Sequence, residues 1–323
     1  MDTLPLEETV GNGGLSCPLC GSSNHQALGL DSASAIVDEF IWRYLDIDWS
    51  IPVRTVCCET CQLIYFDRAY TQEEVSRLYS GYRGLEYTSQ RLLYDPSYKS
   101  YSDAYRNRLS NYYLLRVRAL ANVLQDEVMT SWLAMFKSSR KNQRRDYSEC
   151  WNHLIRACDY GSSDPYIVET CLASLGIEGF KIDTYDVGLP SVVPEHYDLV
   201  VYDQVAEHLG CLDSIEAFIS SCRSGSRHLI GVPLELPRNM IPRNAMAMLN
   251  KKRVANPTFQ VNFSVVHEHI NFFSEISLIE WAKRLELHCN GKMVLFVNGT
   301  ATSSCIIKAE PEMGIAYICL ERS

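Results

Sequence analysis

The sequence predicts an α/β protein, with a mostly parallel sheet flanked by helices and a small module in front of it. Two observations carry this. From residue 150 onward, short apolar runs alternate with segments of helical apolar spacing, the pattern of strands joined by crossover helices. Near the N-terminus, Cys17-Pro18-Leu19-Cys20-Gly21 is answered by Cys58-Glu59-Thr60-Cys61. Two CxxC knuckles supply the four thiolates of a structural Zn²⁺ site.

Residues 1–16 are Gly-rich and acidic and are expected to form a flexible tail. Residues 17–70 form the zinc-binding module, with Cys17, Cys20, Cys58 and Cys61 as its metal ligands. Pro-x-Cys-Gly suits a knuckle because glycine supplies permissive backbone. Cys57 is the other available thiol, but the Cys58–Cys61 pair keeps the spacing. The middle of the module carries Phe40, Ile41, Trp42, Tyr44, Leu45 and Trp49. That is more apolar surface than a knuckle needs, so it is expected to pack on another domain.

Residues 71–149 read as a helical linker and substrate-lining region. Thr71 caps a short helix, a tyrosine-dense stretch follows through Tyr87 to Arg91 and Tyr98, and the spacing is helical from Ser102 to Phe136. The basic run 137–145 is either a solvated linker or a patch for a phosphorylated substrate.

Residues 150–323 carry the sheet. Leu154–Asp159 is a strand ending in an acid. Asp164-Pro165 supplies an N-cap and an N1 proline for a helix with Val168, Cys171, Leu172 and Leu175 on one face, closed by Gly176. Strands follow at 180–186 and 197–203, then a helix begun by Asp213 and Glu216, a strand at 228–232, and a helix capped by Ser274. The runs 292–297, 304–309 and 316–321 supply final strands, including an antiparallel hairpin. Ligands of such sheets bind beyond the carboxyl ends of the strands, which marks Asp159, Asp186 and Asp203. Residues 233–265, with Met240, Met246 and Met248, exceed a simple connection and form either a cap over the site or a peripheral insertion.

With 323 residues, 46% of them hydrophobic, the chain can build one small and one large domain. A net charge of −9 lacks the basic footprint of a nucleic-acid binder, so no nucleic-acid partner is expected. The first ten residues carry acids and no apolar stretch, and no apolar run approaches the ~20 residues of a membrane span. Thirteen cysteines, scattered outside the quartet, then point to free thiols in a reducing, cytoplasmic compartment.

Three stretches make the chain resemble a class I S-adenosylmethionine-dependent methyltransferase. Cys158-Asp159-Tyr160-Gly161-Ser162-Ser163 is similar to the glycine-loop motif after the first strand, and the stretch from Tyr197 to Asp203-Gln204-Val205-Ala206-Glu207-His208-Leu209 to the fourth-strand motif. Val266-His267-Glu268-His269-Ile270-Asn271-Phe272-Phe273-Ser274 is like the HEHxxFFS segment of a subgroup with an N-terminal zinc module, the sugar C-methyltransferases. Related proteins occur among bacterial surface-polysaccharide enzymes. The resemblance spans most of residues 17–321. It implies a Rossmann-like sheet, mostly parallel with an antiparallel C-terminal strand, binding S-adenosylmethionine, with a structural zinc beside it and a sugar or nucleotide-sugar acceptor. It further implies that Asp159, Gly161, Ser163, Asp186, Asp203 and His208 hold the cofactor. Glu268 and His269, with His267, would supply the base. Tyr82, Arg83, Tyr87 and Arg91 lie in or beside a stretch resembling one in those relatives, and they either reach the substrate or pack the module onto the core.

Two departures from the family pattern stand out. Ser163 and Pro165 replace glycines that the family often has. The interval from Asp186 to Tyr197 is too short for a full helix and strand, so either Asp186 or Asp183 would hold the ribose. Alternatives are a catalytically silent scaffold on an altered methyltransferase fold, or a methyltransferase for another small molecule.

Methyl transfer is an in-line displacement needing positioned donor and acceptor and often a base. A histidine titrates near ~6.5, and an adjacent carboxylate raises its basicity and holds its tautomer. The acceptor can be a carbon alpha to a ketone or a hydroxyl. His267 and His269 alternate along the chain, so at most one of them is expected to face a pocket; a metal role for that pair is the other reading, but it lacks a clear carboxylate or third histidine partner. Glu207 and His208 either shape the loop or take part in chemistry.

Overall fold

The structure is a computed structural model. It describes residues 16–27, 39–46, 55–67, 70–81, 84–94, 96, 98–99, 103, 111–126, 129–134, 155–162, 164–177, 180–185, 196–233, 269–296, 298–302, 305–307, 309–310 and 315–323. The expected tail and the body of the expected cap lie outside these.

The expected sheet is present. Strands β4 (Ile155–Tyr160), β5 (Phe180–Tyr185), β6 (Leu199–Asp203) and β7 (Arg227–Pro233) run parallel in the order β5-β4-β6-β7. The last strand, β13 (Ile315–Arg322), lies antiparallel to β7, and β9 (Gly291–Phe296) pairs antiparallel with β13. All five residues of β6 are buried. Leu199 and Val201 face one core, Val200 and Tyr202 the other, so the strand reads as an apolar run from Leu199 to Tyr202 before it ends in Asp203. Leaving β4, the chain first goes out to β5, then returns to β6 on the opposite side of β4. This reversal opens a crevice at the carboxyl ends of β4 and β6, where open α/β sheets bind ligands.

Helices cover both faces. On one, α4 (Asn111–Leu124) and α5 (Tyr166–Ser174) bury Leu120, Val123, Val168, Cys171 and Leu172. On the other, α6 (Asp213–Ser221) and α7 (Glu275–His288) bury Ile215, Ile219, Leu278 and Trp281. The caps differ from expectation in detail. Asp164 Oδ1 accepts from the Tyr166 amide at 3.1 Å, so helix α5 begins just after Pro165 rather than at it. Asp213 and Glu216 form no cap on α6. Arg284 of α7 binds them instead, at 2.6 Å and 2.9 Å, and also donates to the Leu19 carbonyl in the N-terminal module. One guanidinium thus ties two helices and the module together. Ser274 caps α7 as expected, through Ser277.

The N-terminal module is not self-contained. Strands β1 (His25–Ala27), β2 (Thr55–Cys58) and β3 (Ile64–Phe66) form an antiparallel sheet, and β8 (Asn271–Phe272) adds to its edge by pairing with β3. Leu19, Val56, Leu63 and Tyr65 share a core with Phe273 and Trp281. Beside it, α1 (Glu39–Leu45), α2 (Gln72–Ser80) and α3 (Leu85–Tyr94) enclose a separate aromatic cluster of Phe40, Tyr87 and Tyr98. Thr71 caps α2 with a capping box to Glu74.

His228 lies wholly buried in β7, with Nδ1 3.3 Å from the Tyr202 hydroxyl and Nε2 2.9 Å from Ser226 Oγ. Burial, helped by Arg322, holds its pKa down to about 3, so the ring is neutral in the folded protein. The unfolded chain takes up this proton near pH ~6.5. The stability is therefore full above that pH and is lost as pH falls toward 3, by up to about 1.4 kcal/mol per unit. Thermal melts should show a lower Tm at pH 5 than at pH 7.5, and His228→Gln should shrink the difference.

Candidate functional site

The four cysteines of the two knuckles converge. Their sulfurs all lie within 4.8 Å of one another, with Cys17–Cys61 and Cys20–Cys58 both at 3.5 Å. Sulfurs sharing one tetrahedral zinc sit about 3.8 Å apart, given a Zn–S bond of ~2.3 Å. The donor set therefore fits that ion. The two knuckles are built alike. Gly21 amide donates to the Cys17 carbonyl and Gln62 amide to that of Cys58, at 2.8 and 2.9 Å. Both turn residues are left-handed, with φ of 70° and 60°. Only the first knuckle uses the glycine that this geometry favours. Burial pushes the Cys57 thiol up to about 12, its sulfur contacts the Cys58 carbonyl, and it stays outside the cluster.

At the sheet crevice, β4 delivers Asp159, Tyr160 and then Gly161. Gly161 has φ of +84°, and a Cβ there would meet Val205 Cγ2 at 2.5 Å. The first loop therefore lies directly against the loop after β6, with bare backbone at the contact. Gly161→Ala should cost ~1–3 kcal/mol through strain and overpacking, read as a lower denaturation midpoint. Asp159 is 4% exposed. Burial, then the Asp203 carboxylate, push its carboxyl well above the usual range, with Arg116 opposing. Such a carboxyl is poised to take a cationic ligand group.

Asp203 ends β6 with both oxygens engaged. Arg116 of α4 donates from Nε to Oδ2 at 2.8 Å, and the Tyr317 hydroxyl donates to Oδ1 at 2.8 Å. Gly231 makes this possible, since a Cβ there would meet Tyr317 Cε1 at 2.4 Å and Asp203 Oδ1 at 2.9 Å. The Asp203 side chain thus fastens α4 and β13 to the floor of the crevice.

After Asp203 the backbone turns at Gln204, whose φ is 62°, into a single helical turn, Ala206–His208. Asn271 of β8 is 1% exposed and donates from Nδ2 to the carbonyls of Ala206 at 3.0 Å and Leu209 at 2.7 Å. The Ile270 amide donates to Glu207 at 2.7 Å, and the Ile270 carbonyl accepts from Phe66 of β3 at 3.0 Å. These bonds bring His269 against the turn. The His208 and His269 rings meet edge to face with centroids 4.8 Å apart. The buried Glu207 Oε1 is 3.9 Å from His208 Nε2.

Of the residues singled out in the sequence, the structure gathers Asp159, Gly161, Asp203, His208 and His269 around the ends of β4 and β6. Tyr82, Arg83, Ser163, Asp186, His267 and Glu268 lie outside the described residues. Tyr87 and Arg91 do not line the crevice. Tyr87 is fully buried and Arg91 is 4% exposed; Arg91 donates to the Tyr87 hydroxyl at 3.2 Å and stacks 4.8 Å from the Tyr98 ring centroid. They pack the aromatic cluster, which is separate from the cores on the two faces of the sheet. Asp183 lies before the end of β5, bonded by Lys181 at 3.0 Å and by the Tyr197 hydroxyl at 3.1 Å, whereas Asp186 directly follows that strand. Arg116, Tyr317 and Asn271 were not foreseen. Arg116 had a signal, since it shares a helix face with Ala119, Leu120 and Val123, and a cation on an apolar stripe marks a buried partner.

No protein-family profile matches the chain, and no curated protein matches it. Solved structures to which the chain is similar include the plantazolicin methyltransferase BpumL in complex with a monoazolic desmethylPZN analog and SAH, at 11% identity, TM-score 0.40, covering 78% of this chain and 98% of that one. A SAM-dependent methyltransferase from Thermotoga maritima, a possible histamine N-methyltransferase, is 12% identical, TM-score 0.33, covering 70% and 98%. The CurJ carbon methyltransferase is 9% identical, TM-score 0.31, covering 63% of this chain and only 57% of that one. Among the described residues no helix is long and apolar enough to cross a membrane.

Proposed function

We propose that this chain is a methyltransferase that takes its methyl group from S-adenosylmethionine and gives it to a sugar or nucleotide-sugar acceptor. The carrying observation is the placement at one topological switch point of a buried acid (Asp159), a bare-backbone glycine (Gly161) and two facing imidazoles (His208, His269). When bound, the cofactor supplies an electrophilic methyl group on a sulfonium. Asp159 would receive its ammonium, whose positive charge offsets the burial that pushes this carboxyl upward. Gly161 would lie under its amino-acid end, and Asp186, directly after β5, would take the ribose hydroxyls. His269 would remove the acceptor proton, with Glu268 holding its tautomer. The same base serves a carbon alpha to a ketone or a hydroxyl. The zinc on the four thiolates is structural, and it fixes β3 and hence β8. The sugar class rests on the HEHxxFFS segment and its pairing with two zinc knuckles.

The test is turnover with a panel of nucleotide sugars, followed by mass spectrometry of the product. His269→Ala should lower kcat by about 100-fold or more, the range typical of a lost general base, while leaving cofactor affinity unchanged. Full turnover by that variant would remove His269 from the chemistry.

A further inference from the structure

The turn after β6 and the segment leading into β8 bring a third ligand-type side chain to the histidine pair. We propose that Glu207, His208 and His269 form a second metal site, built from nitrogen and oxygen donors and separate from the four cysteines. A ligand atom from each lies within 4.8 Å of the other two, and Glu207 Oε1 is 3.9 Å from His208 Nε2. An imidazole nitrogen sits ~2.1 Å from a first-row ion. Two rings on one such ion, at bond angles between square and tetrahedral, then have centroids about 4.5–5.2 Å apart. The observed separation is 4.8 Å at an interplanar angle of 87°.

The site is built rather than incidental. Its two segments are joined by the Ile270 amide on the Glu207 carbonyl and by Asn271 Nδ2 on the carbonyls of Ala206 and Leu209. Glu207 is fully buried, and a buried carboxylate favours a cation beside it. Two imidazoles and one carboxylate, with further positions left for other ligands, suit Zn²⁺, Fe²⁺, Mn²⁺ or Co²⁺ rather than Ca²⁺ or Mg²⁺.

The inference goes beyond the proposed reaction and does not depend on it. An ion here takes the lone pair that His269 would need as a base. Metal occupancy and base catalysis therefore exclude one another, and added divalent ion would inhibit turnover.

Cobalt(II) titration of the whole chain tests this without any acceptor. Thiolate-bound cobalt gives an intense sulfur-to-metal charge-transfer absorption, and a nitrogen and oxygen site gives only weak ligand-field bands. Two equivalents are expected, one of each kind. His208→Gln and Glu207→Gln should each weaken the second equivalent by more than the about 10–100-fold that losing an outer-shell partner costs, and should leave the sulfur band intact. Should a variant lose both signals through misfolding, the wild-type protein still decides: paramagnetically shifted ring protons from two histidines are expected with the second equivalent bound. Binding of one thiolate-type equivalent alone, or a second equivalent unchanged in both variants, would overturn the proposal. Failure of methyl transfer would not.

Discussion

Cys61→Ser is expected to abolish zinc binding by the four-cysteine cluster, unfold the N-terminal sheet and displace His269. Cys61 is 1% exposed and is one of the four converging sulfurs. Structural zinc sites contribute on the order of 10–16 kcal/mol in small zinc modules, as much as the whole stability of a typical domain. The consequence reaches the crevice through a short chain of bonds. Cys58 and Cys61 hold the turn between β2 and β3, the Phe66 amide of β3 donates to Ile270 at 3.0 Å, and β8 pairs with β3. His269 directly precedes that contact. Hydrogen exchange should therefore show lost protection at Phe66 and Ile270, and the melting temperature should fall by many degrees. Cys57→Ser is the control, since Cys57 stays outside the cluster; it should keep its zinc and its protection pattern. A Cys61→Ser protein with unchanged melting and unchanged exchange would show that the cluster is incidental.

Asp203→Ala should destabilise the fold by about 3–5 kcal/mol, the usual result of removing one partner from a buried ion pair. The variant leaves the Arg116 guanidinium and the Tyr317 hydroxyl without the carboxylate that each binds at 2.8 Å. Tyr317→Phe removes only a neutral donor and should cost about 1 kcal/mol. The two effects should not add in the double variant, because the hydroxyl's partner is already gone. Urea denaturation of the three proteins measures this. Equal losses in Asp203→Ala and Tyr317→Phe would mean that the Arg116 pair contributes little.

The sheet was legible because β6 is apolar from Leu199 to Tyr202 and the helix faces at Val168–Leu172 and Leu278–Leu285 have clear periodicity. The four-cysteine cluster was legible because its CxxC spacing is local. The helix starts were half legible. Ser274 and Thr71 satisfy nearby amides within their own turn, and spacing reveals that. Asp213 and Glu216 look like the same device, yet they answer Arg284, and sequence distance hides such a partner. Tyr87 and Arg91 were read with two roles open because an arginine among tyrosines has the same composition whether it stacks inside a cluster or faces a ligand. Cation–π stacking in a buried cluster needs three elements to meet. The role of Asn271 is hidden in the sequence for a related reason. Its role is to satisfy two carbonyls on a turn more than 60 residues earlier, and nothing in its own neighbourhood says so beyond one amide amid apolar residues.

Calorimetric titration of the zinc-loaded protein with S-adenosylmethionine and S-adenosylhomocysteine tests the central claim most directly. One-to-one saturable binding is predicted for both, weakened at least tenfold in Asp159→Asn. Absence of binding by either compound, in protein whose fold is shown by its melting transition, would contradict the methyltransferase assignment and leave the crevice to a different ligand.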